Sequence, residues 1–135
     1  MVTLHAYLTF NGNCGEAMSF YSDCLGGELH MQYLRDTPCA ADMPEWIRDF
    51  ILQATLTTGN IVLLGSDMAN DETLKRGNAI SLMLRCKQRN EILQLYAKLS
   101  ENGQALQPPE VSESGITAAL KDKYGIHWML EYYNN

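Results

Sequence analysis

The chain states one pattern twice. Glu16-Ala17-Met18-Ser19-Phe20-Tyr21, running to Leu25-Gly26-Gly27, returns as Glu91-Ile92-Leu93-Gln94-Leu95-Tyr96, running to Asn102-Gly103. Ile51-Leu52-Gln53-Ala54-Thr55-Leu56, ahead of Gly59, returns as Ile116-Thr117-Ala118-Ala119-Leu120, ahead of Gly125. A unit spanning half the chain and present in two copies points to one pseudo-symmetric domain. The 135 residues suffice for one core without disulfide or metal staples.

The local pattern gives the order within each copy. Leu4 to Phe10 alternates as a strand, with Leu4, Ala6, Leu8 and Phe10 on one face and His5, Tyr7 and Thr9 on the other. Asn13 and Glu16 make a capping-box pattern that opens a helix to about Cys24, stopped by Gly26-Gly27. Glu28 to Leu34 reads as a strand. Arg35 to Trp46, with Pro38 and Pro44, reads as a loop carrying a helix-start signal at Asp42 to Glu45. Phe50 to Thr57, the turn at Gly59-Asn60 and Ile61 to Leu64 form a hairpin. Ser66 to Gly77 reads as a polar connection between the halves.

The second half repeats this order. Ala79 to Cys86 is a strand and Arg89 to Ser100 a helix. Ala105 to Gln107 is a short strand closed by Pro108-Pro109, and Ile116 to Leu120 with Ile126 to Tyr132 forms a last hairpin. Met18, Tyr21, Leu25, Leu93, Tyr96 and Trp128 are assigned to the core. Lys75-Arg76, Asp71-Glu72 and Asp122-Lys123 are assigned to solvent. The result is β-α-β-β-β twice, in pseudo-repeats of about 1–67 and 78–135 within a single domain, 1–135. One helix cannot cover a whole sheet, so the copies are expected to lie side by side. That makes an α+β fold: two βαβββ modules forming a curved, mostly antiparallel eight-stranded sheet with helices on the outer face. Its concave face is the natural ligand pocket.

Composition narrows the partners. The net charge of −6 makes nucleic acid and anionic membrane poor partners. No apolar run approaches a membrane span, and the N-terminus lacks a signal-peptide pattern, which gives a cytoplasmic expectation. Cys14, Cys24, Cys39 and Cys86 form neither a C-x-x-C pair nor a zinc-finger spacing and are expected to be reduced thiols.

Three separated motifs then carry a resemblance. Phe10-Asn11-Gly12-Asn13-Cys14-Gly15-Glu16-Ala17-Met18-Ser19-Phe20-Tyr21 with Leu25-Gly26-Gly27 resembles the opening motif of the PhnB-like branch of the glyoxalase/bleomycin resistance/dioxygenase superfamily, the vicinal oxygen chelate fold. Leu64-Gly65-Ser66-Asp67 and Asp122-Lys123-Tyr124-Gly125-Ile126-His127-Trp128-Met129 resemble two further motifs of that branch, in the same order. The resemblance spans nearly the whole chain and implies paired βαβββ modules, in agreement with the repeat. It also implies a homodimer, because cavities of this superfamily are often completed across subunits.

Fold does not fix function. Active members of the superfamily place one His, Glu or Gln on each of four concave strands. These hold a divalent ion that acts as a Lewis acid on adjacent substrate oxygens. Aligned through the motifs, those positions fall on His5, near Leu63 or Gly65, on or near Ser81, and on Met129, with Glu131 two residues further on the same face. One His and a displaced Glu fall short of the three or four ligands a catalytic ion takes. The standard metal site therefore reads as degraded, with no metal and no catalytic residue assigned.

The expected ligand-binding residues are His5, Tyr7, Trp46, Asp67, Ser81, Met83, Met129 and Glu131. Each has a plainer reading. His5 is a strand histidine at a damp pocket, Trp46 a core or interface aromatic, Asp67 a turn-forming cap and Glu131 a solvated or salt-bridged carboxylate. His30 reads as an exposed edge residue, and His127 shares strand parity with Met129 and Glu131. The leading expectation is a small-molecule-binding protein without a standard metal centre or other cofactor. The competing one is a metal-dependent lyase, isomerase or dioxygenase using His5 and Glu131 with non-standard partners. A methyltransferase label sometimes given to this branch finds no Gly-rich strand-to-helix turn in the chain.

Overall fold

The computed structural model describes residues 1–68 and 73–134. It is an α+β fold of eight strands and two helices, divided into two compact units, Met1–Leu74 and Lys75–Asn135. The first unit holds β1 (Ala6–Phe10), α1 (Cys14–Leu25), β2 (Glu28–Tyr33), β3 (Ile51–Thr58) and β4 (Ile61–Asp67). The second holds β5 (Leu82–Arg85), α2 (Arg89–Leu99), β6 (Gln104–Val111), β7 (Gly115–Lys121) and β8 (His127–Tyr133). Each unit carries a four-stranded mixed sheet, ordered β1-β4-β3-β2 and β5-β8-β7-β6. β1 runs parallel to β4 and β5 to β8, and the other pairings are antiparallel. The two units therefore share one topology, as the repeat requires.

In the first unit α1 covers one sheet face. Met18, Tyr21 and Ala17 are buried against Leu8, Phe10, Ala54, Leu56 and Leu63. Gly65 permits this close approach, since a Cβ there would sit 3.1 Å from Met18 Sδ and 3.2 Å from Cys14 Sγ. The start of α1 is held differently from the expectation. Asn13 makes no side-chain cap. Instead Asp67, at the end of β4, accepts from Gly12 N and Cys14 N through Oδ1, each at 2.9 Å, and from Ile51 N through Oδ2 at 2.8 Å. One carboxylate thus ties the helix start, the end of β4 and the start of β3, filling donors that a helix N-terminus leaves open. Gly26 and Gly27, both at positive φ, end the helix as expected. Between β2 and β3 the chain makes three single 3-10 turns at Leu34–Asp36, Ala40–Asp42 and Glu45–Ile47.

In the second unit Ile92 and Leu99 of α2 meet a face built from Trp128, Leu130, Ile116, Ala118 and Leu120, all buried. Leu93, expected in the core, is exposed, because the apolar stripe of α2 is narrow and centred on Ile92 and Leu99. Asp122, expected in solvent, is buried. Its Oδ1 accepts from Tyr124 N at 2.8 Å and Ile126 N at 3.0 Å, and its Oδ2 from the Trp128 indole at 2.8 Å. The carboxylate shapes the turn and locks the largest core side chain, so the motif around it is structural. Arg76 likewise leaves solvent, its Nε donating to the Tyr124 carbonyl at 3.1 Å. Pro108 and Pro109 lie inside β6 rather than ending it. β6 is the edge of its sheet and its register shifts between Gln107 and Glu110, which is where proline is tolerated. Asp71 and Glu72 lie outside the described residues.

Candidate functional site

The sheet face turned away from α2 is set by cross-strand register. Arg85 of β5 pairs with Glu131 of β8, Glu131 with Thr117 of β7, and Thr117 with Glu110 of β6. The next row along holds Met83, Met129, Ala119 and Gln107. A polar row therefore lies beside a row of two thioethers, a methyl group and, at the edge, the Gln107 amide.

Glu131 is the centre of the polar row. Its side chain is 9% exposed, while that of Arg85 is 71% exposed. Arg85 donates to Oε1 from Nε at 2.7 Å and from Nη2 at 2.6 Å, and the Tyr133 hydroxyl donates to Oε2 at 3.2 Å. The guanidinium carbon also lies 5.7 Å from the Tyr133 ring centroid. A carboxylate sunk this far is tolerable only when both oxygens are satisfied. On β6, Gln107 Nε2 reaches Thr117 Oγ1 at 3.1 Å and Glu110 Oε2 at 3.3 Å. Met83 and Met129 stay 51% and 42% exposed. Two half-exposed thioethers beside a buried, hydrogen-bonded carboxylate make a surface with an apolar ledge and fixed polar groups.

The first unit carries fewer polar groups on its own helix-free face. Tyr7 is exposed on the face away from α1, and its hydroxyl donates to Ser66 Oγ at 2.7 Å. The register pairs Tyr7 with Leu64, so Leu64 rather than Leu63 or Gly65 shares its face. His5 is exposed and lies ahead of β1, which is shorter than expected. Ser81 is exposed and lies ahead of β5 for the same reason. Trp46 is exposed on the loop between β2 and β3, edge-on to Phe50 with centroids 5.7 Å apart. Asp67 turns its carboxylate inward, with both oxygens committed to backbone N–H groups. His30 lies on edge strand β2, solvent-exposed and 3.5 Å from Glu28.

Of the eight expected residues, one face gathers Met83, Met129 and Glu131. Arg85, Tyr133, Thr117, Gln107 and Glu110 join them without having been singled out. Strand alternation puts Arg85 on the face of Met83, but only the register gives it Glu131 as a partner. None of the thiols is an evident nucleophile. Burial, with the Asp67 charge adding to it, pushes Cys14 up to about 12. Burial and then the charge of Glu91 raise Cys86. Cys24 is buried and Cys39 exposed.

The divalent ion of the fold family does not suit these residues. His5 and Ser81 precede their strands, Leu63 and Gly65 face the helix, Met129 is a thioether and Glu131 is held by Arg85 and Tyr133. Among the described residues no three His, Cys, Asp or Glu side chains gather into a metal-holding group.

Residues 3–131 match the family model described as 3-demethylubiquinone-9 3-methyltransferase. The chain belongs to that family, the PhnB-like one. Protein YjdN of Escherichia coli (strain K12) is 25% identical over 141 residues, covering 94% of this chain and 92% of YjdN. The crystal structure of protein PA1353 from Pseudomonas aeruginosa superposes with a TM-score of 0.88 at 28% identity, over 100% of both chains. A PhnB protein from Bacillus cereus, named as a putative 3-demethylubiquinone-9 3-methyltransferase, matches in fold with a TM-score of 0.77 at 23% identity, over 97% of this chain and 99% of its own. More distant structures named glyoxalase/bleomycin resistance/dioxygenase proteins share the fold. No helix among the described residues is long and apolar enough to cross a membrane.

Proposed function

We propose that this PhnB-like protein binds a small organic molecule on the helix-free sheet faces, without a standard metal centre, as a cytoplasmic homodimer. The observation that carries the reading is the pair of half-exposed thioethers, Met83 and Met129, beside the buried Glu131 held by Arg85 and Tyr133. In this reading the thioethers meet an apolar ring or chain, and the exposed guanidinium edge and the Gln107 amide orient its polar groups. Tyr7 on the first unit's own helix-free face, His5 ahead of β1, Trp46 on the loop between β2 and β3 and Ser81 ahead of β5 are further proposed ligand contacts, each within its own unit. Asp67 is not among them, because its carboxylate lies on the helix side with both oxygens accepting from backbone N–H groups.

The test is a fragment screen read by the methyl signals of Met83 and Met129, with elemental mass spectrometry of the purified protein alongside. Binders that move both methyl signals, and lose affinity about tenfold or more in Met129→Lys, support the reading. Fragments that leave both signals in place overturn it. Close to one tightly held divalent ion per chain overturns the metal-free part and favours the lyase, isomerase or dioxygenase reading with His5 and Glu131. The family's description adds one arm, S-adenosylmethionine among the screened molecules. Turnover to S-adenosylhomocysteine with a demethylated quinol would replace the binding reading with methyl transfer.

A further inference from the structure

A second cleft lies away from the sheet faces, within the loop between β2 and β3. Its volume is about 360 Å³, and Arg35, Ala40, Ala41, Glu45, Arg48 and Asp49 line it. That size suits a small metabolite. The walls are pinned. The Arg35 backbone N–H donates to the Arg48 carbonyl at 2.8 Å, and the Arg35 guanidinium sits 4.2 Å from the Tyr33 ring centroid and 2.8 Å from Asp49 Oδ1.

The charges of the cleft are not all matched. Arg35 and Asp49 neutralise each other. Among the described residues Arg48 pairs with no carboxylate. Its Nε and Nη2 donate to one neutral acceptor, the Met43 carbonyl, at 3.3 and 3.1 Å. That clamp fixes the guanidinium while leaving its charge uncompensated. Glu45 forms no ion pair among the described residues. Among the described residues the cleft thus carries one fixed cation and one anion without an ion-pair partner, and the small side chains of Ala40 and Ala41 also line it.

We propose that this cleft binds a small zwitterion of the α-amino acid type, its carboxylate on Arg48 and its ammonium on Glu45. A guanidinium fixed in place loses little freedom on binding a carboxylate. A ligand of both charges leaves neither protein group unmatched, whereas a simple acid or amine matches only one. The site is independent of the sheet-face reading above.

The experiment uses three probes of one shape: norvaline, pentanoate, which lacks the ammonium, and butylamine, which lacks the carboxylate. Binding is read from the amide signals of Ala40 and Ala41 in the full chain. Norvaline is expected to bind about tenfold or more tighter than either monopolar probe. Glu45→Gln should erase the advantage of norvaline over pentanoate, and Arg48→Gln its advantage over butylamine. Both side chains reach solvent, and an unchanged melting curve confirms that each variant is folded. Arg48→Lys, which keeps the charge, should retain part of the selectivity and covers the case in which Arg48→Gln disturbs the loop. Equal binding of norvaline and pentanoate to the unsubstituted protein overturns the proposal. So does the absence of any shift at Ala40 and Ala41 with norvaline at about 10 mM, beyond which an affinity has little meaning.

Discussion

At the residue scale, two buried aspartates govern more than their positions suggest. Asp67 accepts three backbone N–H groups from two different segments. In Asp67→Asn one oxygen becomes an amide NH2 group that faces a donor, so about 3 kcal/mol of stability should be lost in urea unfolding. Asn13→Ala should cost less than about 0.5 kcal/mol, because Asn13 does not cap. Equal losses in the two variants would contradict this assignment. The thiols give a second expectation. Only Cys39 is exposed, so a thiol reagent should modify one cysteine quickly in the native protein and the other three only after unfolding. For Cys14 the pKa rises on folding from 9.0 to about 12. Between those values the native state holds a proton that the unfolded state has released, so stability falls as pH rises from about 9. Below 9 the contribution is complete. Cys14→Ala should therefore show a shallower loss of stability between about pH 9 and 11 than the unsubstituted chain. An unchanged slope would contradict it.

At the element scale, most strands with one buried face are legible in the sequence, but β4 runs on through Gly65 to Ser66 and Asp67, which the polar composition assigns to a connection. β3, β7 and β8 alternate over most of their length, and their positions agree with the sequence reading to within about a residue or two at each end, the ordinary uncertainty of such boundaries. β1 and β5 are shorter than the alternation predicts, because apolar Leu4 and Ile80 continue the pattern into chain that is exposed. β6 was read too short, because two prolines look like a stop when the strand is taken as internal. They instead blunt an edge, since Pro108 and Pro109 offer no N–H to a further strand. Replacing both by Val should keep the native fold and raise aggregation on warming, as measured by light scattering. No change in scattering would show that this edge is guarded by other means.

At the scale of the whole molecule, the proposed homodimer should scatter light as twice the 15.2 kDa chain mass, and a monomer at micromolar concentration would contradict it. Chelation by EDTA should leave the melting temperature unchanged. The duplicated β-α-β-β-β order, the α+β class and the PhnB-like kinship were all present in the sequence. Periodicity and repeated turn residues are local properties, and a local property survives in one dimension. What the tertiary structure alone decided were the partners of the polar side chains. Nothing near Asp67 in the sequence reveals that it caps a helix more than fifty residues earlier. Asp122 beside Lys123 looks solvated until Trp128 closes over it. Arg85 and Glu131, 46 residues apart, become a salt bridge only through the parallel register of β5 and β8. A charge placed on a strand is written in the sequence, but whether it meets water, backbone or an opposite charge depends on which strand lies beside it.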